Sequence, residues 1–130
     1  MVRNVNRTDA RKYLDQATEF LESAQMCLNE GRFNAATFIA IQAMINANDA
    51  LTIHVLEKRA SSHHGEATEL HELATRPKGD PKMKNHLKDA LKLRANAGYI
   101  GDSVSKKGAK KALSSASAYV SWVKDRTGLK

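Results

Sequence analysis

The chain has 130 residues, a single cysteine (Cys27), one Trp and two Pro, which excludes a disulfide framework within it. No apolar run approaches the ~18 residues of a membrane span, and the segment before Thr8 has no apolar stretch of the signal-peptide kind. One helical domain over residues 1–130, in a reducing cytoplasmic setting and with no membrane partner, is the expectation.

The net charge of +7 is unevenly spread. Residues 1–75 carry seven Lys/Arg against ten Asp/Glu, a balance of −3; residues 76–130 carry fourteen against four, a balance of +10. A polyanionic partner is therefore expected to meet the second half of the chain.

Apolar residues recur with helical period almost throughout, and strand signals are absent. A first helix is predicted from a Thr8 cap, with Ala10, Tyr13, Leu14, Ala17, Phe20, Leu21, Ala24, Cys27 and Leu28 facing inward and Gly31 as the stop. A second runs from about 33 to about 58 and is apolar on nearly all sides, the mark of a central helix. Its Ala36, Ala40, Ala43, Ala47 and Ala50 form a ridge of small residues that lets a neighbour approach. The stretch 60–65 breaks the pattern. A short helix over about 66–75 then turns Ala67, Leu70, Leu73 and Ala74 inward. Asp80-Pro81 reads as N-cap and first residue of a helix to Ala97, with Met83, Leu87, Ala90 and Leu91 inward. After a loop over 98–103, Ser103 or Ser105 caps a last helix to about Arg126, and Gly128 follows it. The predicted fold is all-α: an up-and-down bundle of four long helices plus one short one.

Nothing in the sequence resembles a Gly-rich phosphate loop. His54, His63, His64 and His71 are close in sequence, but no Cys joins them, and no metal or cofactor is expected. Gln42, Asn46 and Asp49 follow i, i+4, i+7 on the most apolar helix. They either bond to neighbours across a helix or dimer seam, or line a cleft, because an unsatisfied buried polar group costs about 1–3 kcal/mol.

Arg94 occupies the position where the inward stripe 83, 87, 90/91 asks for an apolar residue. An unpaired charge is not buried there; it pairs with a carboxylate, for which Asp49 is the internal candidate, or faces an interface or an anion-receiving cleft. Lys84, Lys88 and Lys92 share another face of that helix. Lys106, Lys107, Lys110 and Lys111 stud the start of the next. Together these residues bracket the 98–103 loop.

The stretches 10–17, 28–36 and 40–50, with Leu91-Lys-Leu-Arg-Ala-Asn-Ala-Gly-Tyr99 and the helix over 103–123, resemble HEPN (higher eukaryote and prokaryote nucleotide-binding) domains. The resemblance implies an up-and-down helical domain, often a homodimer. Many of its members are metal-independent endoribonucleases, and many of those are toxins paired with a small nucleotidyltransferase. It also implies a motif of Arg, four to six residues, then His. Arg94 matches the Arg. Where the His is due, this chain has Tyr99, Ile100 and Gly101, and Asn96 inside the motif is no replacement for it. Arg59-Ala-Ser-Ser-His-His64 matches the spacing literally, but at the end of the second helix.

The leading expectation is a domain that binds RNA, a nucleotide or another polyanion through Arg94, Lys92, Asn96, Lys106, Lys107 and Lys110, with ribonuclease activity lost or altered. Two others stand beside it: an active ribonuclease using Arg94 with Tyr99 or a displaced His64 or His63, and a helical protein-interaction module.

Overall fold

The computed structural model describes residues 2–61, 64–97 and 103–129, the side chains at 64 and 95–97 excepted. Five α-helices are described: α1 (Ala10–Asn29), α2 (Phe33–Leu56), α3 (His64–Ala74), α4 (Pro81–Ala97) and α5 (Lys106–Thr127). The all-α bundle of four long helices and one short helix is as the sequence predicts. One element is additional. Strands β1 (Arg3–Asn4) and β2 (Lys58–Arg59) pair antiparallel, with Arg3 opposite Arg59 and Asn4 opposite Lys58. Two residues per strand are too few to show a period of two, so the ribbon left no mark in the sequence pattern.

Three ties set the helix directions. Arg7 Nε, just ahead of α1, donates to the His54 carbonyl near the end of α2 at 2.6 Å. At the other end, the backbone N–H of Val104 donates to Asn34 Oδ1, at the start of α2, at 2.7 Å. Arg126, late in α5, donates to the Thr75 carbonyl just after α3 at 2.8 Å. The bundle therefore has a hairpin end, holding the α1–α2 turn, the end of α4 and the start of α5. Its ribbon end holds β1, β2, α3 and residues 75–81.

Helix α2 lies in the middle and touches every other helix. Ala36, Ala40, Ala43, Ala47 and Ala50 are all fully buried, so the ridge of small residues lets neighbours pack close to the α2 backbone. Leu14, Ala17, Met44, Leu51, Leu87, Leu91, Leu113, Tyr119 and Val120 fill the space around it.

The stops and caps follow the sequence with one exception. Gly31 and Gly128 take left-handed backbone angles, φ +75° and +73°, at helix ends where a side chain would be strained. Asp80 Oδ1 accepts from the N–H groups of Lys82 and Met83, and Ser105 caps α5 through Gly108 N. Thr8 is not a cap. It sits in a 3-10 turn over Arg7–Asp9, and Asn6 accepts from its N–H instead.

Helix α3 also departs from the prediction. Leu73 is 44% exposed, while His71 is buried at 1%. From Ala67 the inward face runs 67, 70, 71, 74, and residue 73 lies about 200° around the helix from 71. A polar residue holds that inward position because it finds partners there.

Candidate functional site

At the hairpin end, Lys92 and Arg94 stand on the last turns of α4, and Lys106, Lys107, Lys110 and Lys111 on the first two turns of α5. The lysines are exposed and Arg94 is half-buried. None of these six cations forms an ion pair with another described residue. The start of α5 carries no acidic residue in its first turn. Cations there oppose the positive end of the helix dipole at about 0.3–1 kcal/mol each. An arrangement that costs stability and concentrates positive charge suits an anionic ligand. Lys84 does not belong to this surface: it pairs with Glu72 beside α3.

The pairing of Arg94 with Asp49, one of three alternatives the sequence leaves open, is not formed. Asp49 is 6% exposed, and its Oδ2 lies 3.9 Å from Nη1 of Arg59 on β2. Arg59 in turn sits over the Tyr13 ring, 5.5 Å from the centroid. Arg94 lies on α4 toward the hairpin end, whereas Arg59 reaches Asp49 from the ribbon end. Burial drives the Asp49 carboxyl up to about 7, against the opposing pull of Arg59.

Gln42 and Asn46 share with Asp49 one side of α2, and a cleft of about 530 Å³ opens there against α1. Gln42 Nε2 donates to Asn46 Oδ1 over a long 3.4 Å. Asn46 is 6% exposed, and its Nδ2 has no partner among the described residues. Sequence reasoning found these three residues but missed Arg59 and Tyr13. Arg59 was visible only as half of a chance-looking Arg–His spacing.

A second polar cluster went unforeseen. His71 Nδ1 lies 2.8 Å from the Tyr119 hydroxyl, which donates to Asn48 Oδ1 at 3.0 Å. Asn48 Nδ2 donates to the Ala67 carbonyl. With the phenol proton committed to Asn48, the imidazole satisfies the network by donating from Nδ1, which leaves Nε2 unprotonated and without a partner among the described residues. Trp122 stacks on the ring. Burial, with Lys84 adding to it, holds the His71 pKa down at about 4. The cluster ties α2, α3 and α5 together. His71 at 1% exposure is a core residue, out of reach of a polymer substrate.

The remaining candidates separate. Tyr99 and His63 lie outside the described residues, as do the side chains of Asn96 and His64. The His64 backbone begins α3 at the ribbon end, whereas Arg94 is on the last turn of α4 at the hairpin end. Within one chain the fold does not bring the two together. Among the described residues, no group of three or more His, Cys, Asp or Glu converges on a metal position, and no helix is long and apolar enough to cross a membrane.

No curated protein matches this sequence. The fold is similar to the crystal structure of TT1696 from Thermus thermophilus. The TM-score is 0.72 at 23% identity, over 90% of this chain and 97% of that one. The family model for the HEPN domain matches residues 10–126. It spans all five helices to within a residue of the end of α5, and so the chain belongs to the HEPN domain family.

Proposed function

We propose that this HEPN domain binds single-stranded RNA through the basic hairpin end, and that it does so without cleaving it. The observation that carries the reading is the set of six cations on the end of α4 and the start of α5, unpaired with any described residue. Lys106 and Lys107, in the first turn of α5, are set against a helix dipole that would favour acids there, whereas Arg94 in the last turn of α4 sits where the dipole favours a cation. Phosphate contacts of this kind supply affinity without reading sequence.

Cleavage is left out for a chemical reason. In-line attack by a ribose hydroxyl needs a group that takes its proton near neutral pH. His71 is buried and neutral, and the His64 backbone is at the opposite end of the bundle. A guanidinium binds phosphate through its fork of N–H donors and has no acceptor for a proton, so Arg94 serves as a phosphate ligand rather than a base. We extend the proposal to a second copy of the chain as the structural partner, because a dimer lets two weak phosphate-binding ends act on one strand.

Fluorescence anisotropy with a labelled single-stranded RNA tests the reading. Arg94→Ala and the double change Lys106→Ala/Lys107→Ala are each expected to weaken binding about tenfold or more at low salt, with the RNA intact after incubation. Unchanged affinity in both variants contradicts it.

A further inference from the structure

The ribbon of β1 and β2 has little to hold it together on its own. Two residues per strand make a marginal element. Arg3 stands directly opposite Arg59, and like charges in that position repel. Glu57, which links α2 to β2, takes a left-handed φ of +55° that a residue with a side chain rarely adopts. The ribbon is therefore held by its ties to the bundle. One tie is exposed: Arg7 pairs with Glu57 and donates to the His54 carbonyl. The other runs inward, where Arg59 lies over Tyr13 and reaches Asp49.

The inward tie is weak for its position. Arg59 lines the open cleft between α1 and α2, and Asp49 does not, so the guanidinium covers the carboxyl against the solvent in that cleft. The contact is long, 3.9 Å. No other described cation pairs with Asp49. Lys12, on the α1 wall of the cleft, pairs with Asp9. Tyr119 on α5 and His71 on α3 are both held neutral by burial. Helix α4 contributes Leu87 and Leu91 to the core around α2. His54, the other titratable group of α2, lies in its last turn. One distant guanidinium does not repay the hydration that a carboxylate loses here. An ionised Asp49 is therefore worse off under the ribbon than in water.

We propose that β2 is an acid-closed strap: over a protonated Asp49 the ribbon and Arg59 stay docked, and when Asp49 ionises the ribbon lifts at Glu57 and lets water reach the carboxylate. The inference does not rest on RNA binding at the hairpin end, and each stands if the other fails. Opening hydrates Asp49, so its carboxyl titrates near the ordinary carboxylate range in the open form and at about 7 in the closed form. The closed form thus keeps a proton that the open form has released. Opening grows with pH, by up to about tenfold per unit for one linked proton, and levels off above about pH 7.

Hydrogen exchange of the full chain, followed amide by amide by NMR and corrected for the intrinsic pH dependence of exchange, is the test. The Val5 amide donates to the Glu57 carbonyl across the ribbon and reports its opening. The amides of Leu51 and Val120, both in the core, report the opening of the whole bundle. From pH 5 to pH 6.5 the protection of Val5 is expected to fall about tenfold or more. Leu51 and Val120 do not follow, because His71 opposes Asp49 when the whole chain unfolds and stays buried when only the ribbon lifts. Asp49→Asn is expected to keep Val5 as protected at pH 8 as the wild type is at pH 5. Arg59→Ala uncovers residue 49 in both forms, leaving Val5 weakly protected and independent of pH. The comparison of ribbon with core needs no variant, so it decides the matter should either substitution disturb folding. The proposal is overturned if Val5 protection changes less than twofold from pH 5 to pH 6.5 or changes in step with the core. It is equally overturned if Asp49→Asn keeps the wild-type pH dependence.

Discussion

The Asp49 carboxyl and the His71 imidazole are both held toward their neutral forms by burial, one shifted up to about 7 and the other down to about 4. The groups that share the Asp49 field are Arg59 on β2 and Tyr119 on α5, whose phenol is pushed up first by burial and then by that carboxylate. Between about pH 4 and 7 the unfolded chain has released the Asp49 proton while the folded chain keeps it, so this group makes stability fall as pH rises. Between 6.5 and about 4 the unfolded chain has taken up the His71 proton while the folded chain has not, so this group makes stability fall as pH drops. The two trends oppose each other over most of the acid range. Asp49→Asn removes the first alone. The variant is expected to exceed the wild type by on the order of 2–4 kcal/mol at pH 8, with the advantage shrinking toward zero at pH 4. Urea denaturation at the two pH values checks this, and an equal difference at both contradicts it. None of this was legible in the sequence. The i, i+4, i+7 spacing put Gln42, Asn46 and Asp49 on one face, but the partner of Asp49 depends on where β2 returns, and Arg94 was the nearer guess by pattern alone.

Helix α5 is where local stability and the proposed function conflict. Its first turn holds Lys106 and Lys107, and the cap is Ser105. Replacing both lysines with Glu brings acids to the positive end of the dipole and is expected to raise stability by about 0.3–1 kcal/mol each. The same change is expected to abolish RNA binding. A thermal melt beside the anisotropy measurement reads both. A lower melting temperature, or retained binding, speaks against a functional reason for these lysines. At this scale the sequence was a good guide. Gly31, Asp80, Ser105 and Gly128 end or start helices as their chemistry dictates. The misses have physical causes: Asn6 captured the cap through a 3-10 turn that moved the helix start, and α3 turned His71 inward because Asn48 and Tyr119 offered it hydrogen bonds.

Across the molecule, the charge asymmetry becomes a geometry. Part of the positive excess of residues 76–130 gathers at the hairpin end, because α4 finishes there and α5 begins there, while Arg76 and Lys78 lie at the ribbon end and Lys84 pairs with Glu72 beside α3. Helix α2, with 24 residues at about 1.5 Å each, separates the two ends by roughly 35 Å. That length is what keeps the start of α3, and with it the literal Arg–His spacing of Arg59 and His64, away from Arg94. Spacing along a chain suggests a motif, and the direction of the helices decides whether its members meet. The salt dependence of RNA affinity reports on the phosphate contacts of the hairpin end, because each lost phosphate contact on a single strand flattens the slope of log affinity against log salt by ~0.7. Removing Arg94, Lys106 and Lys107 together is predicted to flatten that slope by about 2 relative to the wild type. An unchanged slope would place the contacts elsewhere and overturn RNA binding by the hairpin end.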